Sequence, residues 1–343
     1  MGQILDDAIR NINKQYKETI ITVGLSDFSY KKIPFTSPRM NYCTFGGIPV
    51  GMITEFYGEE HGGKTTTALD IVANFQKSDD SRSVLYVDAE NTLDVEWATK
   101  LGVDVNALCI LQPMSQSAED IFQIVEDLVS TGEIGLWVID SIGALVSAQE
   151  MDDKRTYEDK VYGGISLPLT RFSKKIEMLM KKHRCTGIGI NQIRDNLAST
   201  YPSTSTPGGK AWKHCCAVRM QFTRGSFLDE NGNEIKRSSE SPAGNVVMMS
   251  MTKNKTCPAT RRTGFYTLNY ETGVDYIRDY IDVAIKYDII KKSGSWFDIV
   301  DIETGEVLEG KIHGQASVYD MLKENTELLD RIKVLIEHAT KEN

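Results

Sequence analysis

From residue 51 the chain alternates short apolar runs with segments of helical period. Ile53-Thr54-Glu55-Phe56-Tyr57, Ser83-Val84-Leu85-Tyr86-Val87-Asp88 and Leu136-Trp137-Val138-Ile139-Asp140 are β-branched, aromatic or nearly all apolar. Strands buried on both faces of a parallel sheet read this way. Further strands are predicted over 108–111, 187–190, 217–222, 246–251 and 265–268, with helices over 66–75, 115–130 and 166–183 between them. Strand and helix in alternation predict an α/β fold: a largely parallel, twisted sheet with helices on both faces.

The two ends differ from this core. Ile4, Leu5, Ala8, Ile9 and Ile12 recur at helical spacing, and Glu18-Thr19-Ile20-Ile21-Thr22-Val23 reads as a strand. A helix and one strand cannot enclose a core, so residues 1–30 must pack on the main domain or, as an oligomerisation element, on a neighbouring copy. Residues 31–268 form the core domain. Residues 269–343 predict a small α+β domain with a hairpin around Glu303-Thr304-Gly305-Glu306 and one amphipathic final helix carrying Met321, Leu322, Leu328, Leu329, Ile332, Leu335 and Ile336. Two polar, aperiodic gaps, about 150–164 and 193–209, each follow a predicted strand. Insertions of that length in a compact domain are as a rule functional or disordered.

Composition narrows the class. The 343 residues are 41% hydrophobic, with no apolar run near the roughly 18 residues a membrane span needs. The acidic N-terminus is no signal peptide, and six cysteines without metal or C-x-x-C spacing read as reduced thiols, so a cytoplasmic protein is expected. A net charge of −9 argues against coating nucleic acid by bulk charge. Yet Arg171 to Arg224 holds eleven Lys/Arg, Arg171 and Lys175 among them, and only Glu177 and Asp195 as acids. Charge alone fits a solvated face or a polyanion site equally.

The chemistry begins at Gly58-Glu59-Glu60-His61-Gly62-Gly63-Lys64-Thr65, which matches G-x-x-x-x-G-K-[ST] between a strand and a helix. In that setting backbone N–H groups and the helix N-terminus face phosphates, Lys64 reaches the outer phosphates, and the Thr65 hydroxyl can ligate Mg²⁺. Thr66 completes the run. Asp140, ending a core strand, has the form of the acid that supports the metal. Asp88 and Glu90 end another strand on the ligand-binding edge, and either can serve as general base.

These residues, with Asn91-Thr92-Leu93-Asp94, Lys100-Leu101-Gly102-Val103-Asp104, Val138-Ile139-Asp140-Ser141, Ile190-Asn191-Gln192-Ile193-Arg194, Pro207-Gly208-Gly209-Lys210-Ala211 and Lys253-Asn254-Lys255, closely resemble the bacterial RecA recombinases in order and spacing. The resemblance covers nearly the whole chain. It implies a DNA-dependent ATPase that uses ATP and Mg²⁺, assembles as a helical homo-oligomeric filament on single-stranded DNA, and pairs it with homologous double-stranded DNA in recombination and repair. Mediator proteins and a LexA-like repressor are further partners of such a filament.

By the same resemblance Glu90 activates water, and Asp94 and Trp97 grip adenine. Tyr270 contacts adenine from the next subunit. Gln192 senses the γ-phosphate, and Lys253 and Lys255 reach the neighbouring subunit's nucleotide. Two lysines flanking one asparagine place both ammonium groups on one face of a strand, suited to neutralising phosphate charge in trans. The two gaps match the family's DNA-binding loops, giving Arg155, Tyr162, Arg171, Lys175, Arg194, Tyr201, Gly208, Gly209 and Lys210 as DNA contacts and resolving the basic segment as a polyanion site. Departures are Glu59 and His61 in the phosphate loop, His214 where an aromatic is usual, and a second gap poor in bases after Arg194. Two rival readings share the fold: a regulatory paralogue without strand exchange, and a ring helicase.

Overall fold

The computed structural model describes residues 3–16, 21, 30–78, 80–152, 154, 163–195, 204–230, 232–236, 241–258 and 260–341. Two compact units emerge, Met1–Lys31 and Lys32–Asn343. In the first, helix α1 (Gln3–Tyr16) buries none of its residues, and Ile4 is 89% exposed. Asn13 exchanges two 2.9 Å hydrogen bonds with the backbone of Ile21. The strand expected over 18–23 lies, Ile21 apart, outside the described residues.

The second unit opens with a short antiparallel pair, Lys32–Ile33 with Ile48–Pro49, around α2 (Pro38–Thr44), followed by β1 (Ile53–Gly58), α3 (Lys64–Gln76), β2 (Ser83–Asp88), α4 (Val95–Lys100), β3 (Leu108–Leu111), α5 (Ala118–Ser130) and β4 (Ile134–Asp140). It continues with α6 (Ser166–His183), β5 (Thr186–Gln192), α7 (Gly209–Cys215), β6 (Val218–Leu228), β7 (Gly244–Asn254), β8 (Thr263–Asn269) and β9 (Gly273–Val274). The strands form one sheet in the order β9-β8-β7-β6-β1-β5-β4-β2-β3, and Glu234–Ile235 pairs with β6. From β6 to β3 all neighbours are parallel; β6, β7, β8 and β9 are antiparallel to one another in turn. The expected largely parallel sheet is present, extended by an antiparallel edge that runs past Asn269.

Alternation along the central strands divides the core. Val84, Tyr86, Leu136 and Val138 join the cluster that holds Ile71 and Val72 of α3, whereas Leu85, Val87, Trp137 and Ile139 join the cluster built on Ile121 of α5, Phe172 of α6 and Trp212 of α7. Successive side chains of a strand point to opposite faces, so a strand covered on both sides must be apolar throughout. Trp137 and Trp212 are fully buried. Room for them comes from two glycines of β5: a Cβ on Gly187 would sit 2.1 Å from Trp137, and one on Gly189 2.5 Å from Trp212.

Local signals correct two boundaries. The helix expected from 115 begins at Ala118, because Ser117 and Asp120 form a reciprocal capping box. The single final helix is two, α9 (Gln315–Glu324) and α10 (Thr326–Lys341), following α8 (Tyr276–Lys286) and the antiparallel strands β10 (Ile290–Ser293), β11 (Trp296–Val300) and β12 (Val307–His313). Asn325 makes the break: its side chain accepts from the Leu328 N–H at 3.0 Å, a bond that competes with helix continuation. Leu322, Leu329, Ile332 and Leu335 still meet Ile281, Phe297 and Ile299 in one core cluster.

A buried ion group ties α2 to α8. Arg39 lies 3.1 Å from Asp279 and 2.6 Å from Asp282, and the Ser37 hydroxyl donates to Asp279. Burial pushes Asp279 up to about 7, outweighing the pull of Arg39. A carboxyl raised in the folded state stabilises fully below its unfolded range of about 4 and loses that contribution as pH rises through its folded value. The Tm advantage of the native protein over Asp279→Asn is therefore expected to be larger at about pH 6 than at about pH 8, which paired thermal melts would measure.

Candidate active site

The parallel strands deliver their chemistry to one edge of the sheet. The loop after β1, Glu90 beyond β2, Asp140 ending β4 and Gln192 ending β5 all lie at carboxyl ends, with Gly58 opposite Gln192 and Asp88 opposite Asp140 in the ladders. Crevices at such ends hold ligands in open α/β sheets. Gly58 is fixed by space, since a Cβ there would lie 2.0 Å from the Phe222 carbonyl oxygen of β6. Gly63, at φ 89°, sets the turn into α3.

Lys64 is 8% exposed and donates to the carbonyls of Gly58 (3.2 Å) and Glu59 (2.6 Å). Burial lowers its pKa, against the pull of Asp140 and Glu90. A partly desolvated ammonium ringed by backbone dipoles and carboxylates is suited to a phosphate. The Thr65 hydroxyl donates to Asp140 Oδ2 at 2.8 Å, and the Tyr86 hydroxyl donates to the same oxygen at 2.9 Å. Burial raises the Asp140 pKa; those two bonds oppose the rise. A hydroxyl and a carboxylate are hard oxygen donors of the kind Mg²⁺ takes, and a nucleotide would supply the rest of the shell. No group of three His, Cys, Asp or Glu able to hold a metal occurs among the described residues.

The two carboxylates differ in their bonds. Asp88 is 2% exposed and accepts from Thr92 N (3.0 Å), Leu93 N (3.1 Å) and Gln112 Nε2 (3.0 Å), so it holds the turn. Glu90 is exposed, and its Oε1 accepts from Ser141 Oγ (2.6 Å) and Gln192 Nε2 (3.2 Å). Glu90 is thus the carboxylate open to a ligand, and Gln192 bonds directly to it.

Beside the loop lies a cavity of about 460 Å³ walled by His61 to Thr66, Trp97, Arg224, Asn245, Val247, Leu268 and Tyr270. Trp97 Nε1 donates to Thr66 Oγ1 at 3.3 Å, and the Tyr270 hydroxyl to Asn245 Oδ1 at 2.9 Å. Tyr270 thus lines the phosphate-loop cavity of its own chain, whereas the resemblance has it arrive from the next subunit. Asp94 is not part of this wall. It caps α4 by accepting from Trp97 N, and so acts on the aromatic at one remove. Glu59 and Glu60 are exposed and also outside the wall.

Lys253 and Lys255 do share a side. Lys253 Nζ donates to the carbonyls of Lys213 (2.6 Å) and His214 (3.0 Å), and Lys255 Nζ to that of His214 (3.1 Å), so both cap the C-terminus of α7. Lys255 stands just past the end of β7. Burial and the adjacent Lys255 lower the Lys253 pKa.

Of the proposed DNA contacts, Arg155, Tyr162 and Tyr201 lie outside the described residues. Arg171 and Lys210 are exposed on α6 and α7, and Arg194 donates to the Gly143 carbonyl at 3.1 Å. Gly208, at φ 101°, caps α7, where a Cβ would lie 2.4 Å from Leu169. Gly209, exposed at φ 71°, opens α7. Lys175 needs correcting: its ammonium pairs with the Glu126 carboxylate at 2.8 Å, joining α6 to α5. Sequence reading missed Tyr86 and Ser141 as partners of the site carboxylates; a polar group in an otherwise apolar strand was the available signal at Tyr86.

Residues 3–275 match the family model described as RecA N-terminal domain, and residues 279–341 that of the RecA C-terminal domain. Among curated relatives, Protein RecA of Fusobacterium nucleatum is 34% identical over 97% of this chain and 83% of its own length. That of Clostridium tetani is 35% identical over 96% and 89%, and that of Thermus aquaticus 32% over 98% and 94%.

Proposed function

This chain belongs to the RecA family and is an ATP-dependent DNA recombinase and DNA-dependent ATPase, and we propose that it works through a nucleotide shared between adjacent copies in a filament. Lys64 and the loop amides cradle the phosphates while Trp97 and Tyr270 clasp the base. Thr65 and Asp140 would hold Mg²⁺, which when bound neutralises β- and γ-phosphate oxygens. Glu90 orients the attacking water and takes its proton. Lys253 and Lys255 of the adjacent copy offset charge on the γ-phosphate.

DNA lies along the flanks of the two gaps, met by Arg171, Arg194, Lys210 and the backbone N–H groups of Gly208 and Gly209. Residues 1–30 serve assembly, 31–268 the ATPase core and 269–343 an accessory domain. Loading mediators and a LexA-like repressor are further partners in this reading, and the cytoplasm its location; no helix among the described residues is long and apolar enough to cross a membrane. The observation that carries the coupling is the 3.2 Å bond from Gln192 to Glu90, which joins the residue entering the second gap to the hydrolytic carboxylate. A joint-molecule assay with ATP, a single strand and homologous duplex tests it. The native protein is expected to form product and Gln192→Ala to lose it; equal yields would remove the switch.

A further inference from the structure

Beside the described flanks of the second gap lies a buried polar knot outside the nucleotide chemistry. Glu55, in the middle of β1, is 0% exposed. Its Oε1 accepts from Asn191 Nδ2 and Trp212 Nε1, each at 3.0 Å, and its Oε2 accepts from Arg219 Nε. Desolvating a carboxylate is costly, and a buried ion pair adds little stability over an apolar packing of the same volume. What such a pair can supply is geometry, because each donor has one place to be.

Those donors come from the strand that leads into the second gap, the helix that follows it and the strand beyond that helix. Asn191 precedes Gln192, whose N–H it accepts at 3.1 Å, and its amide also donates to the Pro207 carbonyl at 3.0 Å. Arg219 Nη2 donates to Thr206 Oγ1 at 3.2 Å. Trp212 lies on α7, whose last carbonyls receive Lys253 and Lys255. Across the sheet, Glu55 on β1 pairs in register with Arg219 on β6, and Arg219 with Lys253 on β7. One carboxylate therefore fixes the start of the gap, its end, the sensor glutamine and the helix that seats the trans lysines.

We propose that Glu55 is a positioning residue for DNA-stimulated hydrolysis. Its carboxylate holds Gln192 and α7 in one rigid frame with both flanks of the second gap, so that nucleic acid bound there and the hydrolytic site respond as a unit. This rests on the ATPase reading above. It differs from a purely structural role, in which loss of the carboxylate would lower stability and all activities together.

Glu55→Gln tests it, since the amide keeps the volume but turns an acceptor toward Arg219 into a donor. ATP turnover with and without single-stranded DNA, KM for ATP and Tm are measured on the full chain. DNA stimulation is expected to fall by about tenfold or more, a common size for coupling between sites, with KM and DNA-free turnover within about twofold of native. Trp212→Phe, which removes one donor and keeps a ring in the core, is expected to lower stimulation by about threefold. Proportional loss with and without DNA, or intact stimulation, overturns the proposal; if Glu55→Gln does not fold, Trp212→Phe alone decides by the same outcomes. Absence of stimulation in the native protein would instead overturn the ATPase reading, and the proposal with it.

Discussion

Glu90→Gln is expected to lower ATP turnover by about 10²- to 10⁴-fold, the usual contribution of a positioned base, while nucleotide binding and ATP-dependent assembly on single-stranded DNA persist. The amide keeps the oxygen that accepts from Ser141 and Gln192, so the local bonds survive and only proton acceptance is lost. Filaments formed with ATP should then disassemble no faster than those formed with a slowly hydrolysed analogue, which light scattering would follow. Native turnover in this variant would move the base elsewhere, and Asp88 is no substitute while Thr92, Leu93 and Gln112 hold it.

Alanine at both Lys253 and Lys255 is expected to reduce turnover by about 10³-fold, near the lower bound for a cation supplied to a phosphoryl group from a neighbour. Affinity for ATP at Lys64 should change far less, since the lysines are absent from the wall of the nucleotide cavity. Their bonds to the Lys213 and His214 carbonyls also predict that the last turn of α7 loosens in the variant. Hydrogen exchange at Cys215 and Cys216 would report it alongside steady-state kinetics.

How much of this was legible in the sequence depended on the range of the interaction. The phosphate loop, the apolar strands and α6 follow local rules of spacing and period, and the structure places them as expected. The sheet edge also collected Glu90, Asp140 and Gln192, because the last two end strands of the same parallel set and Glu90 lies two residues past the end of a third. Long-range partners were not legible. Glu55 reads as one polar residue in a strand until Asn191, Trp212 and Arg219 arrive from distant segments. Lys175 reads as a free cation until Glu126 is brought beside it by helix packing. The division of the last helix at Asn325 was hidden because apolar residues on both sides keep the helical period while one side-chain hydrogen bond breaks it.

The central claim is that each hydrolytic site is built by two copies, and mixing two defective proteins tests it most directly. Lys64→Ala lacks the phosphate lysine but keeps Lys253 and Lys255; the double alanine variant at those positions has the converse defect. Filaments formed from an equal mixture contain head-to-tail seams that unite the intact half of each, so turnover should recover to about a quarter of native if copies assemble at random. Turnover that stays at the mean of the two separate variants would place all three lysines in one chain and contradict the shared site.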